Sequence, residues 1–339
     1  MSILRNSINI LTTYIFVSIA TAAANIMVAR SLGVSGFGIY SLVIVFHNFI
    51  AGVASLSLGY SNTCLAAKGR YSLAELHTSS LLASLAIGAV VTGLFYLGAG
   101  LAGRLFLKGV PPSLAWMAVL SVPLTLYYLC VLGIWVGTER VSLYNRLEGL
   151  KAALWLVSTG LAYIAFRGSV MAVVLAWLAS LVVLSLCVFF TALYMRWHSF
   201  RFNPHCLKEL VGFGSQVHIG GLASMVHLRF DVFIVNYFLG TWAVGLYNLA
   251  VNLAGALWVI PTVVMPAAAS KVVGLSWEDS WRVLVDVSRP ILFSLLAICA
   301  LVYLAAPSIV PWIYGVQYAP SVVLLFILLP GMISFILVY

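Results

Sequence analysis

The sequence predicts an all-α polytopic transmembrane helical bundle of about ten helices, built as two parallel lobes of which the second is incomplete. Three observations lead to this prediction: an apolar composition, a series of long apolar runs, and an internal repeat. The chain has 339 residues, of which 63% are hydrophobic and 7% charged, whereas a soluble domain carries roughly 25% charged residues. A soluble globule is therefore excluded, because charge is too scarce to cover its surface.

Apolar runs between charges and Gly/Pro breaks place the helices in order along the chain. Crossing roughly 30 Å of hydrocarbon takes about 20 helical residues, and the runs lack the two-residue alternation of a membrane barrel. We treat the first run as a transmembrane helix rather than a cleaved signal peptide, because many similar runs follow it. The ten predicted spans are 8–29, 37–66, 79–103, 113–136, 152–166, 169–195, 211–238, 243–270, 290–306 and 320–339.

The basic residues are distributed unequally between the two sides of this arrangement. Of the 17 Lys and Arg residues, 12 lie on the side of the N-terminus, and Arg229 lies inside the seventh span. The opposite side has Arg30, Arg104, Lys108 and Arg167. By the positive-inside rule the N-terminus is cytoplasmic, and the expected location is the plasma membrane. The net charge of +9 thus reports orientation, and no basic block or polar domain indicates nucleic acid binding.

Two junctions between helices repeat each other. Leu32–Tyr40 reads LGVSGFGIY and Leu239–Tyr247 reads LGTWAVGLY, which share LG, a later G and the final Y at an offset of 207. The segments that begin GVPPS and GVQYAPS also resemble each other, and Pro123 and Pro330 within them are again 207 apart. Two matches at one offset indicate duplication.

The repeat defines the expected domains. Six helices separate the junctions, so both copies insert with the same orientation, as in transporters with parallel repeats. We expect a six-helix lobe over 1–205 and a second lobe over 206–339 with four helices of an expected six. Tyr339 corresponds to about position 132 of the first copy.

Motifs for catalysis are not found. No HExxH, Walker or GxSxG pattern is present, and the five cysteines have no CxxC spacing. A metal-dependent glycosyltransferase would need clustered carboxylates, but Glu278 and Asp279 are the only adjacent acids. An oligosaccharide polymerase normally carries a sizeable outer loop, and every outer loop here is short. We therefore expect no enzyme, no metal site and no cofactor.

Three segments resemble polysaccharide and oligosaccharide flippases of the multidrug/oligosaccharidyl-lipid/polysaccharide exporter superfamily. They are VARSLGVSGFGIYSLVIVF (28–46), RFDVFIVNYFLGTWAVGLYNLA (229–250) and IVPWIYGVQYAPSVVLLFILLPGM (309–332). The resemblance implies a V-shaped pair of six-helix lobes. It also implies flipping of a polyprenyl-pyrophosphate-linked oligosaccharide from the cytoplasmic to the outer leaflet by alternating access, for surface polysaccharide biosynthesis.

Ionisable residues inside spans are the candidates for transport, because hydrocarbon makes them costly unless they are paired or face water. Arg229 would hold a pyrophosphate through forked hydrogen bonds. Asp231 and His227, four residues apart on one helix face, would couple transport to protons. Alternatively, Arg229 snorkels or pairs with a neighbouring helix, and Asp231 accepts backbone or side-chain hydrogen bonds.

The first two spans supply further candidates for substrate contact. These are Asn25, Arg30, His47 and Asn48. For Arg30 the alternative is an interfacial anchor, and for His47 it is a hydrogen bond between helices. The repeated glycines Gly33, Gly38, Gly240 and Gly245 are hinge candidates that permit tight turns and close helix approach.

The expected partners are an anionic lipid-linked oligosaccharide, membrane lipids and other polysaccharide assembly proteins. Two alternative functions stay open. A cation-coupled drug or metabolite antiporter of the same superfamily would share the architecture, although it should need buried carboxylates. A non-transporting membrane component of a polysaccharide assembly complex is the other.

Overall fold

The computed structural model describes residues 2–166, 168–195, 200–258 and 275–338, and these residues contain helices and no strand. Three-residue 3₁₀ turns are formed by Ala256–Trp258 and Val316–Tyr318. The helices are α1 Ser2–Ala54, α2 Leu58–Lys68, α3 Leu73–Leu105, α4 Pro112–Leu120, α5 Val122–Gly137, α6 Val141–Ala165, α7 Val170–Tyr194, α8 Pro204–Gly255, α9 Trp277–Tyr314 and α10 Pro320–Val338. The predicted all-α bundle of about ten helices is thereby confirmed.

Six of the described helical segments are long and apolar enough to cross a membrane. The first, Thr12–Ala54, contains parts of two predicted spans. The predicted span 152–166 lies in α6, which is not among the six, and the last predicted span begins as the shorter apolar helix Pro320–Ser334. Three of the basic residues counted above, Arg167, Arg196 and Lys271, and positions 259–270 of the eighth predicted span lie outside the described residues.

The repeated junctions have the same backbone conformation. Gly33 (φ 66°, ψ −179°) interrupts α1, and Gly240 (φ 79°, ψ −178°) interrupts α8. Each junction is therefore a single non-helical glycine, shorter than the loops of several residues that the spans predicted. This region of φ/ψ space is essentially restricted to glycine. Gly38 and Gly245 are instead buried within regular helix.

The two proline-containing segments also begin alike. Gly109 and Gly315 both have positive φ, 82° and 110°, and α4 and α10 each start at a proline shortly afterwards. They then diverge, because the first copy breaks at Ser121 into α4 and α5, whereas α10 continues through Pro330. The predicted span 113–136 is found as Pro112–Gly137, with a one-residue turn at Ser121. Pro123, which has no N–H for the helix ladder, lies two residues after this turn, but its equivalent Pro330 lies within continuous helix, so the proline alone does not cause the break.

The chain forms two compact units, 1–241 and 242–339, and the division falls within α8 next to the Gly240 kink. The lobes predicted at 1–205 and 206–339 are defined by the repeat rather than by contacts, and they stay a prediction. In the first unit α2 packs on α5 through small residues: Thr63 Oγ1 donates to the Gly133 carbonyl at 3.1 Å. A Cβ on Gly133 would overlap the backbone of Gly59. Close approach through glycine is typical of membrane helix pairs.

Candidate functional site

The middle of α8 carries the ionisable residues that the sequence singled out. Arg229 and His227 are exposed and Asp231 is half-buried. Arg229 makes no hydrogen bond or ion pair with another described residue, whereas Asp231 Oδ1 accepts the Val232 N–H at 2.8 Å. A guanidinium at membrane depth is costly unless it meets water or an anion. The geometry thus leaves the charge of Arg229 available to a ligand.

Phe230, the residue that follows Arg229 in the sequence, belongs to a cluster of phenylalanine rings. The rings come from α1, from the end of α3 and from α8, with centroids between 5.3 and 6.5 Å apart in tilted and edge-on pairs. The members are Phe46, Phe49, Phe106, Phe230 and Phe233. Edge-to-face aromatic packing of this kind fixes helices rigidly. It holds this turn of α8 against α1 and α3.

An apolar groove of about 360 Å³ continues from the phenylalanine cluster between α1 and α3. Phe46, Phe49 and Phe106 of the cluster line it together with aliphatic side chains such as Val53 and Leu94. An entirely apolar lining suits a hydrocarbon chain. The first unit therefore has an exposed cation, Arg229, next to Phe230 of the cluster in sequence. It also has an apolar groove that other members of the cluster line.

His47 is fully occupied by neighbouring helices. Its Nδ1 lies 2.8 Å from both the Ala118 carbonyl and Ser121 Oγ, and its Nε2 lies 2.9 Å from Thr125 Oγ1. The ring also packs edge-on to Trp177 of α7, with centroids 4.8 Å apart. These contacts place His47 at the α4–α5 break, where it binds a carbonyl next to the interrupted ladder. Its role in the fold is structural, and a substrate contact by His47 stays a prediction.

The other candidates from the first two spans are more open. Asn48 and Arg30 are exposed and Asn25 is half-buried. Arg30 lies about one helical turn before the Gly33 kink, the position expected for the end of a span. Contact of these residues with a substrate stays a prediction.

Sequence reasoning missed a second break, between α1 and α2, where one helix over 37–66 was predicted. Leu56 and Ser57 adopt positive φ (44° and 49°), a strained conformation for residues other than glycine. The buried His218 of α8 holds this break: its Nε2 is 2.9 Å from the Val53 carbonyl and its Nδ1 is 3.2 Å from Ser57 Oγ. The sequence signal was weak, since only two serines and one histidine mark the site.

Comparison with known proteins identifies the family. The family model described as polysaccharide biosynthesis protein matches residues 3–273. The chain belongs to this family. No curated protein matches this family member in sequence.

Solved structures give the fold of this polysaccharide biosynthesis family member. It is similar to the inward-facing conformation of a multidrug resistance MATE family transporter of the MOP superfamily, with a TM-score of 0.75 and 19% identity over 98% of this chain and 83% of the other. For the outward-facing conformation of such a transporter the TM-score is 0.62, with 20% identity over 99% and 80%. A MOP superfamily transporter from Pyrococcus furiosus gives 0.52, with 16% identity over 99% and 81%. The chain therefore has the MATE fold of the MOP superfamily.

Proposed function

We propose that the chain is a transporter that flips a polyprenyl-pyrophosphate-linked oligosaccharide from the cytoplasmic to the outer leaflet of the plasma membrane, with its N-terminus in the cytoplasm. The observation that carries the proposal is Arg229, an exposed guanidinium inside an apolar helix. The polysaccharide biosynthesis family and the transporter fold support it. Alternating access between the two leaflets would be the mechanism, and catalysis forms no part of it.

The chemistry of the site matches both ends of such a cargo. A planar guanidinium donates forked hydrogen bonds to phosphate oxygens and keeps its charge at every physiological pH. The apolar groove beside the phenylalanine cluster would receive part of the isoprenoid chain, which water excludes. In this account Arg229 binds the pyrophosphate, and Asp231 with His227 couples the cycle to protons.

A cation antiporter of the same fold is the competing function. A cationic cargo would need negatively charged side chains in the binding site. Arg229, which is exposed in the middle of α8 and has no described partner, is instead a cation. The fold itself leaves the cargo open, since the Pyrococcus furiosus relative is described as having a binding pocket of reverse polarity that suggests a different function. The positive charge of Arg229 favours an anionic cargo.

The test replaces Arg229 in cells that depend on this chain for surface polysaccharide. Arg229→Ala should abolish surface glycan and leave lipid-linked glycan accumulated inside, while the protein stays at its normal level in the membrane. Arg229→Lys keeps the charge but loses the fork, so it should retain part of the export. Arg104→Ala, which removes an exposed cation at the end of α3, is the matched control and should export normally. Normal surface glycan with Arg229→Ala would contradict the assignment.

A further inference from the structure

A second cationic site lies at the other end of α8. The turn between α2 and α3 and the first turns of α8 line an open pocket of about 530 Å³. Its basic lining residues are Arg70, His205 and Lys208, and Tyr71 and Phe213 supply aromatic faces. Lys208 and Arg229 are 21 residues apart, or about 30 Å along a helix. One phosphate group therefore cannot contact both, and the pocket is separate from the Arg229 site.

The walls of the pocket are fixed by contacts between distant parts of the first unit. Arg70 Nη1 lies 3.0 Å from Glu209 Oε1, and the Tyr71 hydroxyl donates to Glu209 Oε2 at 2.6 Å. Because that hydrogen bond raises the pKa of Tyr71 above its ordinary value, the hydroxyl stays protonated and remains a donor. Both oxygens of the Glu209 carboxylate are thus engaged by the wall itself.

The remaining charge is an excess of cations. Lys68 and Lys208 are exposed and have no carboxylate partner among the described residues, so the pocket and its edge hold three permanent cations against one acid. The backbone N–H groups of the first turn of α8 do not add to this, because Asn203 Oδ1 already accepts from His205 and Cys206. An anion would therefore be bound by side chains.

An aromatic pair next to the cations, one ring exposed and one half-buried, points to a lipid rather than a soluble anion. Phe213 and Tyr60 stack with centroids 6.3 Å apart, and Lys68 Nζ lies 5.8 Å from the centre of the Phe213 ring. Tyr60 is 56% exposed. An amphipathic tyrosine ring beside lysines is typical of the membrane–water interface, where a headgroup meets the cations and its chain passes the aromatic rings.

We propose that this pocket binds the phosphate headgroup of an anionic membrane lipid, through Lys68, Arg70 and Lys208, with the chain of the lipid passing Tyr60 and Phe213. Two lipids share this chemistry: an anionic bilayer phospholipid and a polyprenyl pyrophosphate. The proposal does not depend on flipping, since binding here requires neither Arg229 nor transport.

The test measures displacement of a fluorescent phosphatidylglycerol from the purified full chain in detergent. Unlabelled phosphatidylglycerol should displace it, and farnesyl pyrophosphate should do so as well if the site accepts the carrier type of lipid. Displacement by either anionic lipid supports the proposal, and their relative strength identifies the source. Phosphatidylcholine competing as well as phosphatidylglycerol would overturn it, and so would inorganic pyrophosphate competing as well as farnesyl pyrophosphate.

Variants connect the binding to the pocket. Lys208→Gln should weaken binding about tenfold, as expected for the loss of one charge-assisted hydrogen bond. Gly212→Leu should also block it, because Gly212 lines the pocket and a Cβ there meets nothing within 4 Å, so the added side chain fills space without disturbing the helix. Lys108→Gln, which removes an exposed cation elsewhere, is the matched control.

Two results of the binding measurements with these variants would overturn the proposal. One is unchanged binding in both Lys208→Gln and Gly212→Leu, and the other is equal weakening in Lys108→Gln, which would indicate general surface charge. Measured in the Arg229→Ala background, which lacks the proposed pyrophosphate site, Lys208→Gln should still weaken binding of the labelled phosphatidylglycerol, even where that background no longer exports glycan. Failure of the lipid site and failure of the transport proposal are therefore distinguishable.

Discussion

Helices α1 and α8 share a backbone kink but hold their polar side chains in different ways. Gly33 and Gly240 agree in φ to within about 15° and in ψ almost completely. In α1 the ring of His47 is 2% exposed and bonded on both nitrogens to other helices. In α8 the side chain of Arg229 is exposed and meets no described partner.

The difference separates what the duplication repeats from what it does not. The glycine repeats because the reversal of backbone conformation requires it, whereas a polar side chain in a span depends on its neighbours. A polar side chain on one helix can brace the fold, as His47 does on α1, while one on the other helix stays exposed, as Arg229 does on α8. A polar side chain within a span is thus a candidate for a structural or a ligand-binding role, and only its contacts in the structure distinguish the two.

The largest effect on stability is expected at the kinks. Gly33→Ala and Gly240→Ala should each lower the free energy of unfolding by about 2 kcal/mol, because a residue with a Cβ is strained in this backbone region. No atom lies within 4 Å of the added Cβ at either position, so the loss would report backbone strain alone. Gly100→Ala, in regular helix with equally open surroundings, is the control and should be neutral or slightly stabilising. Thermal unfolding in detergent measures all three, and a neutral Gly33→Ala would contradict the shared kink.

A smaller effect should follow from breaking the His47 contacts. His47→Leu removes the hydrogen bonds to the Ala118 carbonyl and Thr125 Oγ1 and should destabilise the chain by about 1–2 kcal/mol. Arg229→Leu should leave the melting temperature unchanged, since no described contact of Arg229 is lost. Equal destabilisation by both variants would remove the contrast between α1 and α8.

The smallest effect is expected at the break between α1 and α2. His218→Leu removes the hydrogen bond to the Val53 carbonyl and should cost about 1 kcal/mol. Gln216→Leu, at an exposed position of the same helix, should stay within about 0.5 kcal/mol of the unaltered chain. The same unfolding measurement compares them, and indifference of the fold to His218→Leu would show that the break is stable without its clamp.

The sequence was informative where one physical constraint dominates. Hydrocarbon requires long apolar helices, so the helical bundle was predictable. The junctions at Gly33 and Gly240 were predictable too, because a positive φ with ψ near 180° is essentially restricted to glycine. The break at Ser121 was less evident, although Pro123 marks it. The break at Leu56 and Ser57 contains neither glycine nor proline. It was not predictable from the local sequence, because His218, which helps to hold it, is more than 160 residues away.

The candidate site was predictable only in part, for the same reason. Arg229 is visible as a lone cation in a span, but the groove that continues from the phenylalanine cluster is lined by residues of α1 and α3, which the sequence around Arg229 does not indicate. The partners of His47 are a backbone carbonyl and two hydroxyls, which carry no distinctive sequence signal. The second pocket joins Arg70 to Glu209 across 139 positions, a pairing that apolar runs and charge counts do not indicate.

Transport by the purified chain in lipid vesicles tests the central claim most directly. The vesicles contain a labelled polyprenyl-pyrophosphate-linked oligosaccharide, and the label that reaches the opposite leaflet is measured with time. The unaltered chain should move the lipid-linked glycan, Arg229→Lys should move it more slowly, and Arg229→Ala should not move it. Movement of a cationic dye but not of the glycan, or flipping by Arg229→Ala at the unaltered rate, would contradict the account.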